Sequence, residues 1–210
     1  MQSTTAQPAA ERRRGRPSVI DVEAITSAAL RLWTQHGYAE TGWKELAEAT
    51  GVSVRSLIRH FGSRSALAWG GVDAATARLA QALDAHRDLP DAEALRRAVV
   101  ASASGDERIA QLGADWVRLV AAEPELIATA ALAHRPWVDV LAAELSRRFP
   151  GAPLPVCAAL AEAYRSISFA ALADWVRAGA AGDPAAAVDD MLRWFDIHRP
   201  LVTHPSGDPT

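Results

Sequence analysis

Residues 41–61 read TGWKELAEATGVSVRSLIRHF, and this segment says most about the architecture of the 210-residue chain. Its pattern predicts two short helices, the first beginning near Trp43, joined by a tight turn at Gly51. Glycine suits that turn because it adopts a positive φ at little steric cost. Ser53 is a typical N-cap residue for the second helix. The segment therefore has the shape of a helix-turn-helix unit.

The second of these helices is amphipathic. Its apolar side carries Leu57, Ile58 and Phe61. Its polar side carries Arg55, Ser56 and Arg59, with His60 at the edge. A helix that docks through an apolar side and turns a basic side outward is suited to the DNA major groove. An arginine on that side can bind O6 and N7 of guanine in a two-point contact.

The composition favours packed helices over strands. Half of the residues are hydrophobic, alanine is abundant, and we find no alternating run with hairpin signals, so the predicted fold class is all-α. Apolar runs such as 130–133 are far too short to span a bilayer, and no apolar segment follows the N-terminal arginines. The single cysteine, Cys157, excludes an internal disulfide. We therefore expect a soluble cytoplasmic protein without a membrane partner.

The charge is distributed unevenly along the chain. Residues 1–64 hold nine Lys/Arg against six Asp/Glu, whereas residues 65–210 hold thirteen against nineteen. A basic N-terminal part on an acidic remainder suits a DNA-binding head on a body that does not touch DNA.

The chain is predicted to divide into four parts: a basic arm without structure over 1–17, a helix-turn-helix DNA-binding domain over 18–64, a larger helical body over 65–198 and an unstructured tail over 199–210. Ser18 with Asp21 resembles a capping box for the first helix, which is predicted to end near residue 35.

The body is predicted to be helical throughout. Ser63 is the expected N-cap of one long helix that runs to about residue 85, weakened in its middle by Gly70 and Gly71. Pro124 suits the first turn of a helix, and Pro136 must break the segment that follows into two pieces. Further helices are predicted to start near residues 90, 104, 154 and 184, the last ending near 198.

The candidate DNA contacts come from the arm and the head. Affinity should come largely from phosphates, through release of condensed counterions. The candidate phosphate ligands are Thr41, Lys44, His60 and Arg64, together with the helix N-terminal amides at 42–44. The complete set of candidate DNA-contacting residues is Arg16, Thr41, Gly42, Trp43, Lys44, Ser53, Arg55, Ser56, Ile58, Arg59, His60 and Arg64.

Three of these assignments have alternatives that the sequence leaves open. Trp43 either lies against the DNA backbone or a thymine methyl group, or forms the rim of the protein core. His60 either contacts a phosphate or supports helix packing. The arginines of 12–16 either enter a minor groove or stay in a solvated tail that adds diffuse attraction.

The head resembles the DNA-binding domain of the tetracycline-repressor (TetR) family of bacterial transcription regulators. The matching pieces are Ala28-Ala-Leu-Arg-Leu-Trp33, Gly37-Tyr38, Thr41, Glu45-Leu-Ala47, Ala49-Thr-Gly-Val-Ser53, Leu57, His60-Phe61 and Ser63-Arg64-Ser-Ala-Leu67. The resemblance implies a three-helix head followed by a helical body that binds a small effector and dimerises through its last two long helices. It also implies a homodimer on a near-palindromic double-stranded DNA operator, and a repressor released by a small, largely apolar effector.

The chain departs from the family pattern at three positions. It has Ile58 where the family usually has tyrosine, Gly42 where threonine or serine is common, and Arg64 where lysine is common. The first change removes a hydroxyl that often reaches a phosphate in such proteins. The start of the body, Ser65–Asp73, is similar to a subgroup of actinobacterial regulators with acyl-CoA-like ligands.

The resemblance places an inducer pocket at the centre of the body. The candidate pocket residues are Trp116, Leu119, Leu126, His134, Trp137 and Phe169. His134 and Arg135 could meet an anionic head group of the ligand. The alternative is that the aromatic residues are packed core, which is their more common role at helical spacing.

Catalytic patterns are not found in the sequence. The six histidines are scattered without a metal-ligand spacing, so neither a metal nor a cofactor is predicted. The sequence has no G-x-S-x-G and no phosphate-cradling glycine loop, and Cys157 lies among apolar residues. The alternative function is a helical small-molecule-binding or adaptor protein whose helix-turn-helix no longer reads DNA, which Ile58 favours.

Overall fold

A computed structural model describes residues 20–104 and 107–194, with side chains described for all of these except 107–112. Within these ranges the chain is all-α, which confirms the predicted fold class. The helices are α1 (Val22–His36), α2 (Trp43–Thr50), α3 (Val54–Phe61), α4 (Arg64–Ala68), α5 (Val72–Ala85), α6 (Asp91–Ala103), α7 (Glu107–Ala122), α8 (Pro124–Ala133), α9 (Arg135–Arg148), α10 (Leu154–Arg177) and α11 (Pro184–Arg193). The predicted arm with Arg16, the predicted cap Ser18, residues 195–198 of the last predicted helix and the tail lie outside the described residues.

Helices α1 to α3 form the head, and local signals set most of their ends. Gly51 follows α2 in the left-handed conformation, with φ of 69°, so the tight turn predicted there is confirmed. The Ser53 hydroxyl accepts a hydrogen bond from the Ser56 N–H and caps α3 as predicted. Gly37, with φ of 89°, follows α1, which ends at His36, one residue beyond its predicted end. These are the turns that only glycine adopts without strain.

The beginning of α1 differs from the prediction. Its N-cap is Asp21, whose carboxylate accepts a hydrogen bond from the Ala24 N–H over 2.9 Å. The helix therefore starts at Val22, and Asp21 acts as the cap itself instead of as the partner of a cap at Ser18.

The single long helix predicted over 63–85 is wrong, because a turn that begins with Trp69 divides it into α4 and α5. The Gly70 N–H donates to Leu67 O over 3.2 Å and the Val72 N–H donates to Trp69 O over 3.0 Å, so the chain tightens into i→i+3 bonds. Each glycine weakens a helix by about 1 kcal/mol relative to alanine. The Trp69 side chain, 5% exposed, is buried at this turn and fixes it.

The body is built from α5, α6, α9, α10 and α11 around one apolar cluster. Its largest fully buried side chains are Leu79, Leu95, Val99, Leu141, Leu145 and Val188. The break predicted at Pro136 is confirmed, because α8 ends and α9 begins at His134.

A second apolar cluster joins the head to the body. Its members include Leu46 and Leu57 of the head and Leu67 of α4, all with no exposed surface. The same cluster contains Leu119 from α7 and Leu126 from α8, the latter also fully buried. The core of the head is therefore completed by two helices of the body.

A buried arginine ties the loop between α5 and α6 to the end of α9. The side chain of Arg148 is 4% exposed. Its guanidinium donates to Glu144 Oε1 over 2.6 Å and to Asp91 Oδ1 over 2.8 Å, and it also reaches the backbone carbonyl of Leu89. Because both carboxylates and the carbonyl meet one guanidinium, this charge is fully compensated.

Helix α10 has two different sides. Its buried stripe consists of Cys157, Ala161, Tyr164, Ala171 and Trp175. The opposite side carries small residues that are exposed or half-buried: Ala159, Ala163, Ser166, Ala170 and Ala173. By length and composition alone this 24-residue helix is apolar enough to cross a membrane, a test that helices of soluble proteins also pass.

Candidate nucleic-acid interface

Helix α3 exposes the side chains that the sequence assigns to base reading. Leu57 is fully buried and fixes the helix on the head, whereas Arg55 and Arg59 are exposed. Within the described part of the chain, neither arginine forms a hydrogen bond or an ion pair. Ile58 is 44% exposed and lies on the surface with them, not in the core as its apolar character suggested. The surface of α3 is thus a pair of free guanidinium groups beside a small apolar patch.

The serines at the start of α3 are engaged with each other. The Ser53 and Ser56 hydroxyls are 3.0 Å apart and hydrogen-bonded, while Ser53 also accepts from the Ser56 N–H over 3.2 Å. Both hydroxyls therefore stabilise the helix N-terminus. His60 is exposed, and its ring meets the Phe61 ring edge-on with the centroids 4.6 Å apart.

The N-terminus of α2 is a second part of this surface. Lys44 is exposed and Trp43 is half-buried against the head's apolar cluster, so the core-rim alternative for Trp43 matches its position. The Gly42 N–H donates to Glu45 Oε2 over 2.9 Å. The hydrogen bonds from the backbone of Glu45 itself and from Gly42 lower the pKa of this carboxyl group. One amide of the predicted anion site at 42–44 is therefore already occupied by a carboxylate.

Two predicted phosphate ligands have other partners in the structure. Thr41 is 1% exposed, so its side chain is withdrawn from solvent. Arg64 donates from one nitrogen to the carbonyls of Tyr38 and Thr41, both over 2.7 Å, and its guanidinium lies 4.5 Å from the centre of the Tyr38 ring. It also faces Glu125 of α8 at 3.8 Å. Arg64 thus holds the loop between α1 and α2 onto α4, and DNA contacts by Thr41 and Arg64 stay predictions.

The junction between head and body contains polar contacts that the sequence did not reveal. The Tyr38 hydroxyl, in the head, donates to Glu125 Oε1 in α8 over 3.0 Å. Burial and this hydrogen bond raise the pKa of Tyr38 above its ordinary value, so the donor stays protonated. Tyr38 belongs to the Gly-Tyr pair matched to the family, but nothing near it in the sequence identifies Glu125 as its partner.

Tryptophans fix the other side of the junction. The Trp116 indole donates to Ala68 O over 2.7 Å, and the Trp69 indole donates to Thr129 Oγ1 over 3.1 Å. The Trp69 ring meets the rings of Trp116 and His134 edge-on, with centroids 5.5 Å and 5.0 Å away. The end of α4 is therefore held by hydrogen bonds to both α7 and α8.

The apolar candidate pocket residues are divided between the two apolar clusters of the described structure. Four of them belong to the cluster that joins head and body: Trp116, Leu119, Leu126 and Phe169. Trp137 is 4% exposed within the separate core of the body. His134 bonds to Ala130 O through Nδ1 over 2.9 Å, and burial lowers its pKa, so it is poorly suited to meet an anion. The burial of the candidate residues matches the packed-core alternative, and a role in ligand binding stays a prediction.

A surface groove of about 540 Å³ lies elsewhere, between α5 and α9. Its lining residues are Ala80, Leu83, Asp84, Arg87, Val140, Ala143, Glu144 and Arg147. It contains none of the predicted ligand residues.

The sequence matches two family descriptions. Residues 25–68 match "Bacterial regulatory proteins, tetR family", and residues 89–198 match the "MftR C-terminal domain". The chain therefore belongs to the TetR family of transcription regulators, which confirms the resemblance drawn from the head. Within that family its body is of the MftR type, and its class is a DNA-binding regulator rather than an enzyme.

Individual relatives agree with this assignment. One relative is the "Putative mycofactocin biosynthesis transcriptional regulator MftR" of Mycobacterium tuberculosis. It is 29% identical over 142 residues, which cover 67% of this chain and 72% of that protein. The fold is similar to FadR of Thermus thermophilus, a TetR-family repressor in complex with lauroyl-CoA, at a TM-score of 0.57 and 20% identity over 90% of this chain and 99% of that one. FadR of Bacillus subtilis, in complex with stearoyl-CoA, gives a TM-score of 0.55 at 15% identity, over 81% of this chain and 95% of that one.

Proposed function

We propose that this chain is a cytoplasmic, ligand-responsive repressor. It binds a near-palindromic operator as a homodimer and leaves it when a small, largely apolar effector binds. The observation that carries the proposal is the orientation of α3, in which Leu57 is buried while Arg55 and Arg59 extend from the surface without partners among the described residues. Two unpaired guanidinium groups on a rigid helix are suited to bind guanine edges in the major groove.

The head at 18–64 divides its DNA contacts between two helices. On this proposal Arg55, Ser56 and Arg59 of α3 face the bases, while Lys44 and His60 contact phosphates beside them. The arm before the head adds electrostatic attraction, since non-specific binding comes from phosphate neutralisation. Ile58 leaves the phosphate contact of the family's usual tyrosine unmade, so the remaining cations have to supply that affinity.

Dimerisation through the body at 65–198 is supported by the free side of α10. Only 22% of its apolar window is buried within one chain. The small side chains there, such as Ala163 and Ala170, let two helices approach closely around a two-fold axis. A dimer of this kind places two recognition helices about 34–36 Å apart, which is one turn of DNA.

The effector is proposed to be acyl-CoA-like or another hydrophobic ligand, and to act through the junction between head and body. Two FadR proteins of the same fold are in complex with lauroyl-CoA and stearoyl-CoA. Gly70 and Gly71 lie at the turn between α4 and α5, where a shift of the body can be absorbed. If Gly70→Ala with Gly71→Ala leaves both DNA affinity and effector response unchanged, this hinge is not used.

A mobility-shift assay on the DNA flanking the gene tests DNA binding. The wild type should bind, and the logarithm of its affinity should fall linearly with the logarithm of salt concentration. Arg55→Ala and Arg59→Ala should each cost about 1–3 kcal/mol and relax the sequence preference. Arg97→Ala on α6 is the matched control, because it removes the same charge from an exposed position of the body and should leave binding unchanged.

Light scattering coupled to gel filtration tests the dimer. Ala170→Arg should give a monomer at micromolar concentration, because it places a charge in the proposed α10 interface. Ala77→Arg, on the exposed side of α5, should remain a dimer. A wild-type protein that is monomeric, or a dimer that both variants leave intact, would contradict this interface.

The alternative function, a helical binding or adaptor protein whose head no longer reads DNA, is favoured by the exposed Ile58. A folded dimer that shifts no DNA from its own locus at any salt concentration would support that alternative over the repressor.

A further inference from the structure

Arg78 occupies a position on α5 that is otherwise apolar. The side of α5 that packs into the body carries Ala75, Leu79 and Ala82, all of which belong to the body's apolar cluster. Arg78 follows Ala75 by three residues and precedes Ala82 by four, so it lies in the same i, i+3, i+4, i+7 stripe. A positive charge is therefore placed on the core-facing side of the helix.

The guanidinium of Arg78 is only partly satisfied. Its Nη2 donates to Ser102 O, near the C-terminal end of α6, over 3.0 Å. Its Nε is completely buried and has no hydrogen-bond partner among the described residues. Because a guanidinium has five N–H donors, the Ser102 carbonyl leaves most of this capacity unused. Burial lowers the pKa of Arg78, and no neighbouring charge in the described structure offsets that effect.

Other half-buried arginines show what is missing. Each of them has a carboxylate partner: Arg64 with Glu125, Arg96 with Asp189, Arg148 with Glu144 and Asp91, and Arg165 with Glu162. Among the arginines of the described residues that are neither exposed nor at the surface rim, Arg78 alone has no acidic partner. An uncompensated charge inside a protein destabilises it, which is why buried charges are normally paired.

We propose that Arg78 is the counter-charge for an anionic group of the effector, a carboxylate or a phosphate attached to an apolar chain. The inference rests on the proposed effector-binding role of the body and adds the chemical class of the ligand's polar end. It replaces the pair suggested by the sequence. His134 packs on Trp69 and burial lowers its pKa, while Arg135 is 75% exposed and faces Asp139 at 3.9 Å.

Three variants of the full-length protein and three probes test this role. The probes are dodecanoate, dodecanoyl-CoA and neutral 1-dodecanol, and binding is measured by calorimetry. Arg78→Met, which keeps an unbranched apolar stem but removes the guanidinium, should lose at least about tenfold in affinity for the anion that the wild type prefers. Its affinity for 1-dodecanol should stay the same, and Arg78→Lys should retain most of the anion binding. Arg97→Met, on the exposed side of α6, should change none of these affinities.

The melting temperature of the ligand-free protein separates this role from a purely structural one. If Arg78 serves to bind an anion, Arg78→Met removes a half-buried charge that has no acidic partner among the described residues, and the free protein should melt at a higher temperature. If Arg78 serves only to cap α6 through Ser102 O, the same variant should melt at a lower temperature. A lower melting temperature together with unchanged anion binding would therefore overturn the proposal.

Preference among the probes identifies the source of the anion. Stronger binding of dodecanoate assigns the carboxylate, and stronger binding of dodecanoyl-CoA assigns the phosphates, since its thioester is uncharged. Wild-type protein that binds 1-dodecanol as tightly as both anions, or binds no anion at all, would refute the role of Arg78. The mobility-shift assay is independent of this result. If neither the wild type nor any variant shifts DNA, the repressor function is rejected, but the measured ligand affinities still test the role of Arg78.

Discussion

The hydrogen bond between Tyr38 and Glu125 is a direct link from the head to α8, and we predict that it contributes measurably to stability. The perturbation is Tyr38→Phe, which removes the hydroxyl while keeping the ring that packs against Trp33 and under the Arg64 guanidinium. Glu125→Ala removes the acceptor. The double variant completes a thermodynamic cycle.

The expected size follows from the geometry. A hydrogen bond to a charged group contributes about 1.5–3 kcal/mol. The donor is buried, with Tyr38 at 2% exposure, but the Glu125 side chain is 50% exposed, so water replaces part of what the bond provides. We therefore expect a coupling energy of about 1 kcal/mol between the two sites, somewhat below the range for buried bonds to charged groups. In a protein of this size such a change lowers the melting temperature by about 2–4 °C.

Urea denaturation of the wild type, both single variants and the double variant measures the coupling. The cycle removes the separate effects of each substitution, including the loss of a carboxylate from the first turn of α8. A control cycle combines Tyr38→Phe with Glu93→Ala in α6, whose carboxylate pairs with Arg97 and contacts neither residue of the junction. Its coupling should be zero within error.

A coupling energy below about 0.3 kcal/mol would be indistinguishable from additive behaviour. In that case the bond does not hold the head to α8 in solution, and the junction depends on its apolar contacts alone. The reasoning from donor burial to bond strength would then be refuted.

Three further predictions concern the core and the pH dependence of stability. Leu57→Ala should lower the free energy of unfolding by about 2–5 kcal/mol in urea, because Leu57 is fully buried, whereas Ile58→Ala should change it by less than about 1 kcal/mol. Burial opposes ionisation of Glu144, but hydrogen bonds from two arginines outweigh this effect and lower its pKa. The stability that the ionised Glu144 contributes is therefore present above about pH 4.3 and is lost as pH falls further. In melting curves, Glu144→Gln should lose less stability at acid pH than the wild type, and an equal loss would contradict the assignment. Burial lowers the pKa of His134, so the unfolded state takes up its proton first and stability should fall as pH drops below about 6.5; His134→Asn should remove that part of the slope, and a slope equal to the wild type would show that the imidazole titrates normally.

The helix-turn-helix could be predicted from the sequence because its signals are local. Gly51 supplies the positive φ, Ser53 caps the next helix, and the periodicity around Leu57 separates the buried from the exposed side of α3. Each of these depends on residues within one or two helical turns. The DNA-contacting set as a whole remains a prediction, with Arg55 and Arg59 exposed as it requires.

The contacts that the sequence did not reveal involve partners that are distant in sequence. Arg64 is a cation at a helix N-terminus, where a phosphate contact is a reasonable expectation, and the structure adds contacts with Tyr38 and Glu125. The sequence indicates that the glycine pair after Trp69 weakens a long helix. It does not reveal that the Trp69 side chain is buried at this position, where the helix is interrupted. The proposed role of Arg78 depends likewise on which carboxylates are absent around it, and no local pattern states that.

The leucines of α7 and α8 in the cluster that joins head and body limit how this regulator can be recombined. A chimera cut at residue 64 and fused to a foreign body would keep the DNA-reading helix but lose Leu119 and Leu126 from beneath it. The transplanted head would then expose apolar core residues to water and would be destabilised. Changing the operator specificity by exchanging whole heads would therefore fail. Substituting the recognition residues Arg55 and Arg59 within α3 leaves the contacts between head and body intact. It is therefore the safer route to a new operator specificity.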